Sequence, residues 1–160
     1  MSAKPLESTT LDGLYDRDFA LWCEETARLL QARRFSDLDV RNLIEEVTAM
    51  AGRDRREVVS RLRVLIAHLL EWEWQPGKRS RGWQRTIDTQ RAELEQVFRQ
   101  SPSLRSALSE SVVEAYPPAL RRATLETDLP ADAFPSRCPY TPDQLLDDDF
   151  LPGETRGGTP

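Results

Sequence analysis

The residues of this chain that could do chemistry lie mainly between positions 45 and 91, where polar side chains interrupt apolar residues at helical spacing. These polar residues are Glu45, Glu46, Arg61, His68, Gln90 and Arg91. Carboxylates on one helix and a histidine on another can bind a metal ion inside a helical bundle. Arginine, histidine and glutamine on facing helices can instead line a pocket for a polar ligand. The sequence therefore raises two hypotheses, a metal site and a polar pocket.

The predicted geometry argues against the metal site. If the second and third helices form a hairpin that turns near Gly52, Glu45 lies about seven residues before the turn and His68 about fifteen after it, a mismatch of roughly 12 Å along the helix axis. The residue level with Glu46 is instead Arg61. We therefore predict no metal ion and no cofactor, and a Glu46 to Arg61 ion pair at the border of the core.

A polar pocket between the third and fourth helices is the second hypothesis. Arg61, His68, Gln90 and Arg91 would line it and bind a small ligand or a substrate. The competing interpretation is structural, because a lone histidine on the flank of an apolar stripe is often hydrogen-bonded at the core boundary, here beside Glu71 one turn later. The sequence leaves both interpretations open.

Most familiar catalytic sites are excluded by the residues that the chain lacks. No glycine-rich nucleotide loop, no Gly-x-Ser-x-Gly and no His-Glu-x-x-His occurs. One histidine and two distant cysteines, Cys23 and Cys138, exclude most triads and zinc sites and favour reduced thiols. Chemistry that uses carboxylates alone stays possible, so enzymatic activity is undecided but not favoured.

A basic cluster at positions 78–85 lies beside two tryptophans and suggests nucleic-acid binding as a further alternative. Its members are Lys78, Arg79, Arg81 and Arg85. The net charge of the chain is -5, which favours a solvated turn over a nucleic-acid surface. There is no apolar run long enough to span a bilayer and no apolar signal segment near the N-terminus, so we expect a cytoplasmic protein without a membrane partner.

Trp74 is the residue that most favours a protein interface. It falls off the apolar stripe formed by Leu62, Leu65, Leu69 and Trp72, so we expect it to be exposed. An exposed aromatic residue among apolar neighbours can anchor an interface. The first hypothesis is therefore a non-enzymatic protein that binds a protein partner or forms a homo-oligomer.

The apolar periodicity predicts the helices that position these residues. The first helix spans about 16–34, and the second runs from Val40 to Gly52 with a core face of Val40, Leu43, Ile44, Val47 and Met50. Asp54 caps the third helix, whose core stripe is Val58, Leu62, Leu65, Ile66, Leu69 and Trp72, and Pro76-Gly77 ends it. Ser80 caps the fourth.

A fifth helix begins at Ser101-Pro102 and is either kinked or broken at Pro117-Pro118. One further turn begins at Thr141-Pro142 within a proline-rich segment. The fold class is all-α, a compact bundle of five to six helices with an irregular C-terminal segment. We predict a single domain over 14–152, with flexible termini at 1–13 and 153–160.

An ordered series of phrases resembles the bacterial and cyanobacterial family called domain of unknown function twenty-nine. The phrases are LYDRDFALWCEETARLL, DVRNLIEEV, SRLRVLIAHLLEW, QPGKRSRGWQRTIDTQR, SPSLRSAL, ETDLPADAFPSRCPY and LDDDFLP. The resemblance covers about residues 14–152 and implies an all-helical fold, but no established activity, cofactor or catalytic residue. One departure is Asp128, where glycine is expected; aspartate can also adopt the left-handed turn at a helix end.

Overall fold

The computed structural model describes Leu11 and residues 13–153, and this part of the chain contains seven α-helices and no β-strand. Four helices are long and three are single turns. Their bounds are α1 Leu14–Arg17, α2 Phe19–Gln31, α3 Val40–Trp74, α4 Arg81–Gln100, α5 Ser103–Ser106, α6 Leu108–Thr127 and α7 Pro142–Leu146. The predicted all-α class is confirmed. The flexible ends predicted for 1–13 and 153–160 lie almost entirely outside the described residues.

The contacts divide the chain into two compact units, Met1–Ala51 (unit 1) and Gly52–Pro160 (unit 2). The boundary falls inside α3. A single domain over 14–152 therefore stays a prediction, and each unit is described by itself below.

The hairpin predicted near Gly52 is wrong, because α3 continues through this glycine as one helix of 35 residues. A glycine inside a helix costs only about 1 kcal/mol relative to alanine, and no proline follows it to stop the helix. The predicted Glu46 to Arg61 ion pair is also wrong, since Glu46 accepts a hydrogen bond from the Tyr15 hydroxyl and Arg61 pairs with Glu57 and Glu93. Asp54 caps nothing; its carboxylate accepts a hydrogen bond from the Ser101 hydroxyl at 2.7 Å.

Unit 1 is held together by a small core. Its buried apolar residues among those described are Leu11, Leu14, Trp22 and Leu29. Asp18 caps α2 by accepting a hydrogen bond from the Leu21 amide. Two further bonds tie the helices of this unit together: the Trp22 indole donates to Asp39 at 3.3 Å, and the Tyr15 hydroxyl donates to Glu46 at 2.6 Å.

Unit 2 has the larger core, which joins the second half of α3 to α4 and α6. The core stripe predicted for the third helix is confirmed, since Val58, Leu62, Leu65, Ile66, Leu69 and Trp72 are all buried. Helix α4 begins as predicted, with the Ser80 hydroxyl accepting from the Trp83 amide. Pro76 to Lys78 form a single 3-10 turn between the two helices.

Helix α6 runs unbroken through Pro117 and Pro118, so the break that the sequence allowed does not occur. Proline cannot donate to the carbonyls of Val113 and Glu114, but both of these residues are exposed and water can bind those oxygens. The opposite side of the helix is buried through Ala115, Ala119 and other residues. This burial stabilises α6 across the proline pair.

The segment after α6 wraps onto unit 2 with one helical turn, α7, as predicted from Thr141-Pro142. The Thr141 hydroxyl accepts from the Gln144 amide, and the Gln144 side chain accepts from the Thr141 amide, which completes a capping box. Phe134, Tyr140 and Leu145 from this segment are buried in the core. The proline-rich segment is thus part of the fold.

Asp128 ends α6 in the left-handed conformation, with φ at 56°. This confirms that Asp128 adopts the left-handed turn at a position where the family resemblance leads us to expect glycine. We expect Asp128→Gly to raise the free energy of unfolding by about 0.5 to 1 kcal/mol, because glycine adopts this conformation without a steric penalty. Urea unfolding measures the change, and Asp132→Gly, at a position without positive φ, should destabilise instead. A loss of stability in Asp128→Gly would contradict the argument.

Candidate functional site

The exposed large apolar side chains of the described residues are concentrated in unit 1. Eight of these ten side chains belong to it. They are Phe19, Leu21, Leu30, Phe35, Val40, Ile44, Val47 and Met50. Single exposed apolar residues are ordinary, but a concentration of them in one region is typical of an interaction surface.

Four of these residues lie along the first three turns of α3, and we call them the α3 stripe: Val40, Ile44 and Val47 form one row, and Met50 follows one turn later toward the flank of Leu43. The four side chains are 52% to 61% exposed. Their burial in a core, predicted from the sequence, is wrong. The alternation of four and three residues from Val40 through Ile44 and Val47 to the exposed Ala51 is that of a short coiled-coil seam. The helix thus presents a row that a second helix could cover.

The stripe is uncovered because α1 and α2 pack on a neighbouring side of the same helix. Glu46 accepts a hydrogen bond from the Tyr15 hydroxyl, and Leu43 packs against the core of unit 1. At about 100° per residue, both lie on one flank of the row formed by Val40, Ile44 and Val47. Burying Leu43 and Glu46 therefore leaves the stripe itself outside the core.

The other flank of the stripe carries Arg41 and Glu45, two opposite charges one turn apart. Both side chains are exposed. Among the described residues neither one takes part in a hydrogen bond or an ion pair. Arg41 lies close enough to Asp39 to help lower the pKa of that carboxyl, but the α3 stripe is bordered by a positive and a negative group that form no ion pair with any described residue.

The four residues predicted to line a polar pocket have different partners in the structure. Arg61 pairs with Glu57 at 2.9 Å and with Glu93 at 3.6 Å. His68 is buried, and its Nδ1 atom lies 3.0 Å from the Val64 carbonyl oxygen. Burial lowers the pKa of His68 below its usual value, so the neutral imidazole is favoured. These partners are within α3 and on the adjoining surface of α4.

Arg91 and Gln90 are also buried, but they differ in their hydrogen bonding. The Arg91 guanidinium donates to the carbonyl oxygens of Leu145, Phe150, Gln144 and Asp148 at 3.0, 2.9, 3.3 and 3.5 Å. Burial lowers the pKa of Arg91, while nearby aspartates oppose this shift. The Gln90 Oε1 atom is buried without a protein hydrogen-bond donor among the described residues. Arg91 thus ties the C-terminal segment to α4.

One surface pocket, of about 770 Å³, includes Arg91. Of the described residues, its lining adds Gln84, Asp88, Asp148 and others from α4 and the C-terminal segment, and none of Arg61, His68 and Gln90. Ligand binding by those four residues together stays a prediction.

Glu71 is the polar residue whose importance sequence reasoning underestimated. Its side chain is buried, and its Oε1 atom has no hydrogen-bond donor among the described residues. Burial raises the pKa of this carboxyl to about 7, with Arg122 opposing the shift and Glu126 adding to it. The signal in the sequence is its place after the apolar run Leu69-Leu70, where a glutamate faces the core on the same side as His68.

Trp74 is half-buried, so the predicted free exposure of this residue is wrong. Its indole donates to the Ala133 carbonyl at 2.8 Å, and its ring lies 5.2 Å from that of Phe134. The off-stripe position directs the ring onto the segment after α6. A role for Trp74 in an interface stays a prediction.

The basic cluster is partly used within unit 2. Arg79 donates to the carbonyls of Trp72 and Pro152 and lies over the Trp72 ring at 5.1 Å. Lys78, Arg81 and Arg85 are exposed and form no ion pair with any described residue. Nucleic-acid binding by this cluster stays a prediction.

Comparisons with known proteins identify a family but no activity. Within Leu11 and residues 13–153, no helix is both long and apolar enough to cross a membrane, and no three His, Cys, Asp or Glu side chains are grouped to hold a metal ion. No curated protein and no solved structure matches the chain. A family model, Domain of unknown function DUF29, matches residues 14–151. This match spans nearly the whole chain, and the protein belongs to that family.

Proposed function

We propose that this protein acts by macromolecular interaction, and that a second copy of the chain covers the α3 stripe. The observation that carries the proposal is the exposure of the α3 stripe, Val40, Ile44, Val47 and Met50, on one helix face. Removing apolar surface from water contributes about 25 cal/mol per Å². A partner that covers these side chains therefore gains a contribution that the isolated unit 1 does not have.

The charges beside the stripe favour a second copy, because they are complementary to themselves. In an antiparallel pair of α3 helices whose two-fold axis lies level with the midpoint between Leu43 and Ile44, Val40 faces the second copy's Val47. The same axis brings Arg41 to within about one residue of the level of the second copy's Glu45, and Glu45 to within one residue of its Arg41. A two-fold interface uses one patch twice, so each contact occurs twice.

The size of the unit 1 core supports the same proposal. Among the described residues, four buried apolar side chains are few for a unit that includes α1, α2 and the start of α3. Unit 1 spans only residues 1–51, and small domains are marginally stable because they bury a small fraction of their surface. Covering the α3 stripe would extend this small core across the two-fold axis.

We expect Ile44→Glu to abolish self-association, because it places a carboxylate at the centre of the apolar interface on both copies. Light scattering after size-exclusion chromatography, over a range of protein concentrations, measures the mass. Leu125→Glu is the matched control, since Leu125 is an exposed apolar residue of α6 in unit 2. It should leave the dimer intact.

A charge exchange tests the orientation of the pair. Arg41→Glu should weaken the dimer, and the double variant Arg41→Glu, Glu45→Arg should restore it, because opposite charges again meet across the axis. A wild-type chain that is monomeric at every concentration would reject the second copy as the occupant. If the double variant does not restore the dimer although Ile44→Glu dissociates it, the antiparallel arrangement is rejected.

The proposal includes a bacterial source and a cytoplasmic location. The source rests on the resemblance of the ordered phrases to a bacterial family. The location rests on Cys23, an exposed free thiol, and Cys138, a half-buried one. Thiols persist in the reducing conditions of the cytoplasm.

A further inference from the structure

A second candidate site lies in unit 2, in a cleft between α6 and the segment that follows it. The cleft has a volume of about 580 Å³, within the range of small-molecule sites. Of the described residues, its lining consists of Val112, Val113, Tyr116, Pro117, Ser136, Arg137, Cys138 and Tyr140. Most of this lining is apolar, since the two valines, the proline and the tyrosine rings provide its walls.

The polar atoms of the tyrosines and the cysteine are already used inside the protein. The Tyr116 hydroxyl donates to the Pro135 carbonyl, and the Tyr140 hydroxyl donates to Glu73 at 2.8 Å. The Cys138 thiol contacts the Tyr140 carbonyl oxygen at 3.6 Å, and burial raises the pKa of this thiol. These three side chains therefore offer a ligand apolar surface and no charge.

Arg137 is the one charged residue among the described residues that line the cleft. It is exposed, and it has no ion pair or hydrogen bond with any described residue. An unpaired guanidinium at the edge of an apolar cleft is complementary to a carboxylate, which it can bind through two parallel hydrogen bonds. Ser136, the preceding residue, adds a hydroxyl to the lining of the cleft.

Val113 leaves apolar surface at the cleft exposed to water. This residue lines the cleft and is 74% exposed, although it lies on the same helix as the buried Val112. An apolar ligand beside Val113 would remove its side chain from water, which favours binding.

We propose that this cleft binds a small amphipathic carboxylate, with Arg137 binding the acid group and the apolar body lying between Val113 and the tyrosine rings. The inference is independent of the self-association proposed for unit 1, since all of its residues lie in unit 2. Binding here would give the protein a ligand-dependent function in addition to its interaction surface.

Titration of the full chain with sodium octanoate, kept below its micelle concentration, tests this site. Amide resonances of residues 112–116, 136–138 and 140 should shift and saturate. We expect Val113→Trp to fill the cleft and weaken binding at least about tenfold. Leu125→Trp is the matched control, because it enlarges an exposed apolar residue of the same helix away from the cleft; it should bind octanoate as the wild type does.

The carboxylate is tested separately by charge. Arg137→Gln should weaken octanoate binding about tenfold, the loss of one charge-assisted interaction, and should leave the weaker binding of 1-octanol unchanged. Arg121→Gln removes an exposed arginine of α6 and should change neither. Octanoate shifts that do not saturate, or an affinity that Val113→Trp leaves intact, would overturn the site. An equal loss of affinity for octanoate and for 1-octanol in Arg137→Gln would overturn the role of the acid group.

Discussion

Replacing Arg91 by leucine is expected to lower the free energy of unfolding by about 4 kcal/mol and to release the C-terminal segment. Arg91 is buried, and its guanidinium donates to four carbonyl oxygens of residues 144–150. A buried carbonyl that loses its donor costs about 1 to 3 kcal/mol. Part of this cost is offset because leucine needs no desolvation of a charge.

Urea unfolding and limited chymotrypsin digestion measure these two effects. Cleavage after Phe150 and near Leu145 should be faster in Arg91→Leu, because both residues lie in the segment that Arg91 holds. Arg91→Lys should recover only part of the stability, since a single ammonium cannot reach the same spread of acceptors. The matched control is Arg99→Leu on α4, an arginine whose side chain is 77% exposed; unchanged proteolysis in Arg91→Leu would reject the anchoring role.

The helix ends that depend on a specific local residue were predictable from the sequence. Ser80 and Thr141 cap helices as expected, and Asp128 takes the left-handed turn that ends α6. Each of these features depends on a few neighbouring residues. Local hydrogen bonds and φ preferences therefore determine them without help from the rest of the fold.

The sequence prediction ended the second helix at Gly52, because glycine is common at helix ends, and so missed the continuity of α3. Val40, Ile44 and Val47 recur 18 residues later as Val58, Leu62 and Leu65, and 18 residues are five turns of 3.6. The apolar period therefore crosses Gly52 without a change of phase. A hairpin would have no reason to preserve that phase, so the periodicity contained the signal for one helix.

Exposure along the α3 stripe could not be predicted from its residue types. Val40, Ile44 and Val47 have the composition and spacing of a core face, and periodicity cannot distinguish a core within one chain from an interface between two. The cleft beside Arg137 was missed for a different reason. It depends on how the proline-rich segment returns to α6, a packing between residues distant in sequence.

The final prediction concerns Glu71, whose burial makes the stability of the fold depend on pH. Its carboxyl has a pKa of about 7 in the folded protein, against an ordinary value of 4.5. Between these two pH values the folded protein keeps a proton that the unfolded chain has released. The contribution of Glu71 is therefore fully present below pH 4.5 and is lost as the pH rises toward 7.

The groups that face Glu71 shape this dependence but do not reverse its sign. Arg122 and Glu126 of α6 act in opposite directions, and burial outweighs both. His68, one turn earlier, has a lowered pKa, so its own contribution is lost as the pH falls below 6.5. The two residues thus oppose each other between about pH 4.5 and 6.5, and only a variant separates them.

We expect Glu71→Gln to match the wild type near pH 4 and to be about 2 to 3 kcal/mol more stable at pH 8, because glutamine has nearly the same shape and never ionises. Urea unfolding across this pH range measures the difference. Glu114→Gln, at an exposed position of α6, should follow the wild-type curve. If Glu71→Gln runs parallel to the wild type or is less stable at pH 8, the carboxylate is ionised in the fold and stabilised by Arg122. In the expected case, Glu71 lowers the stability of the fold at neutral and higher pH. The loss of stability is greatest above the pKa of the folded state, where the buried carboxylate is ionised.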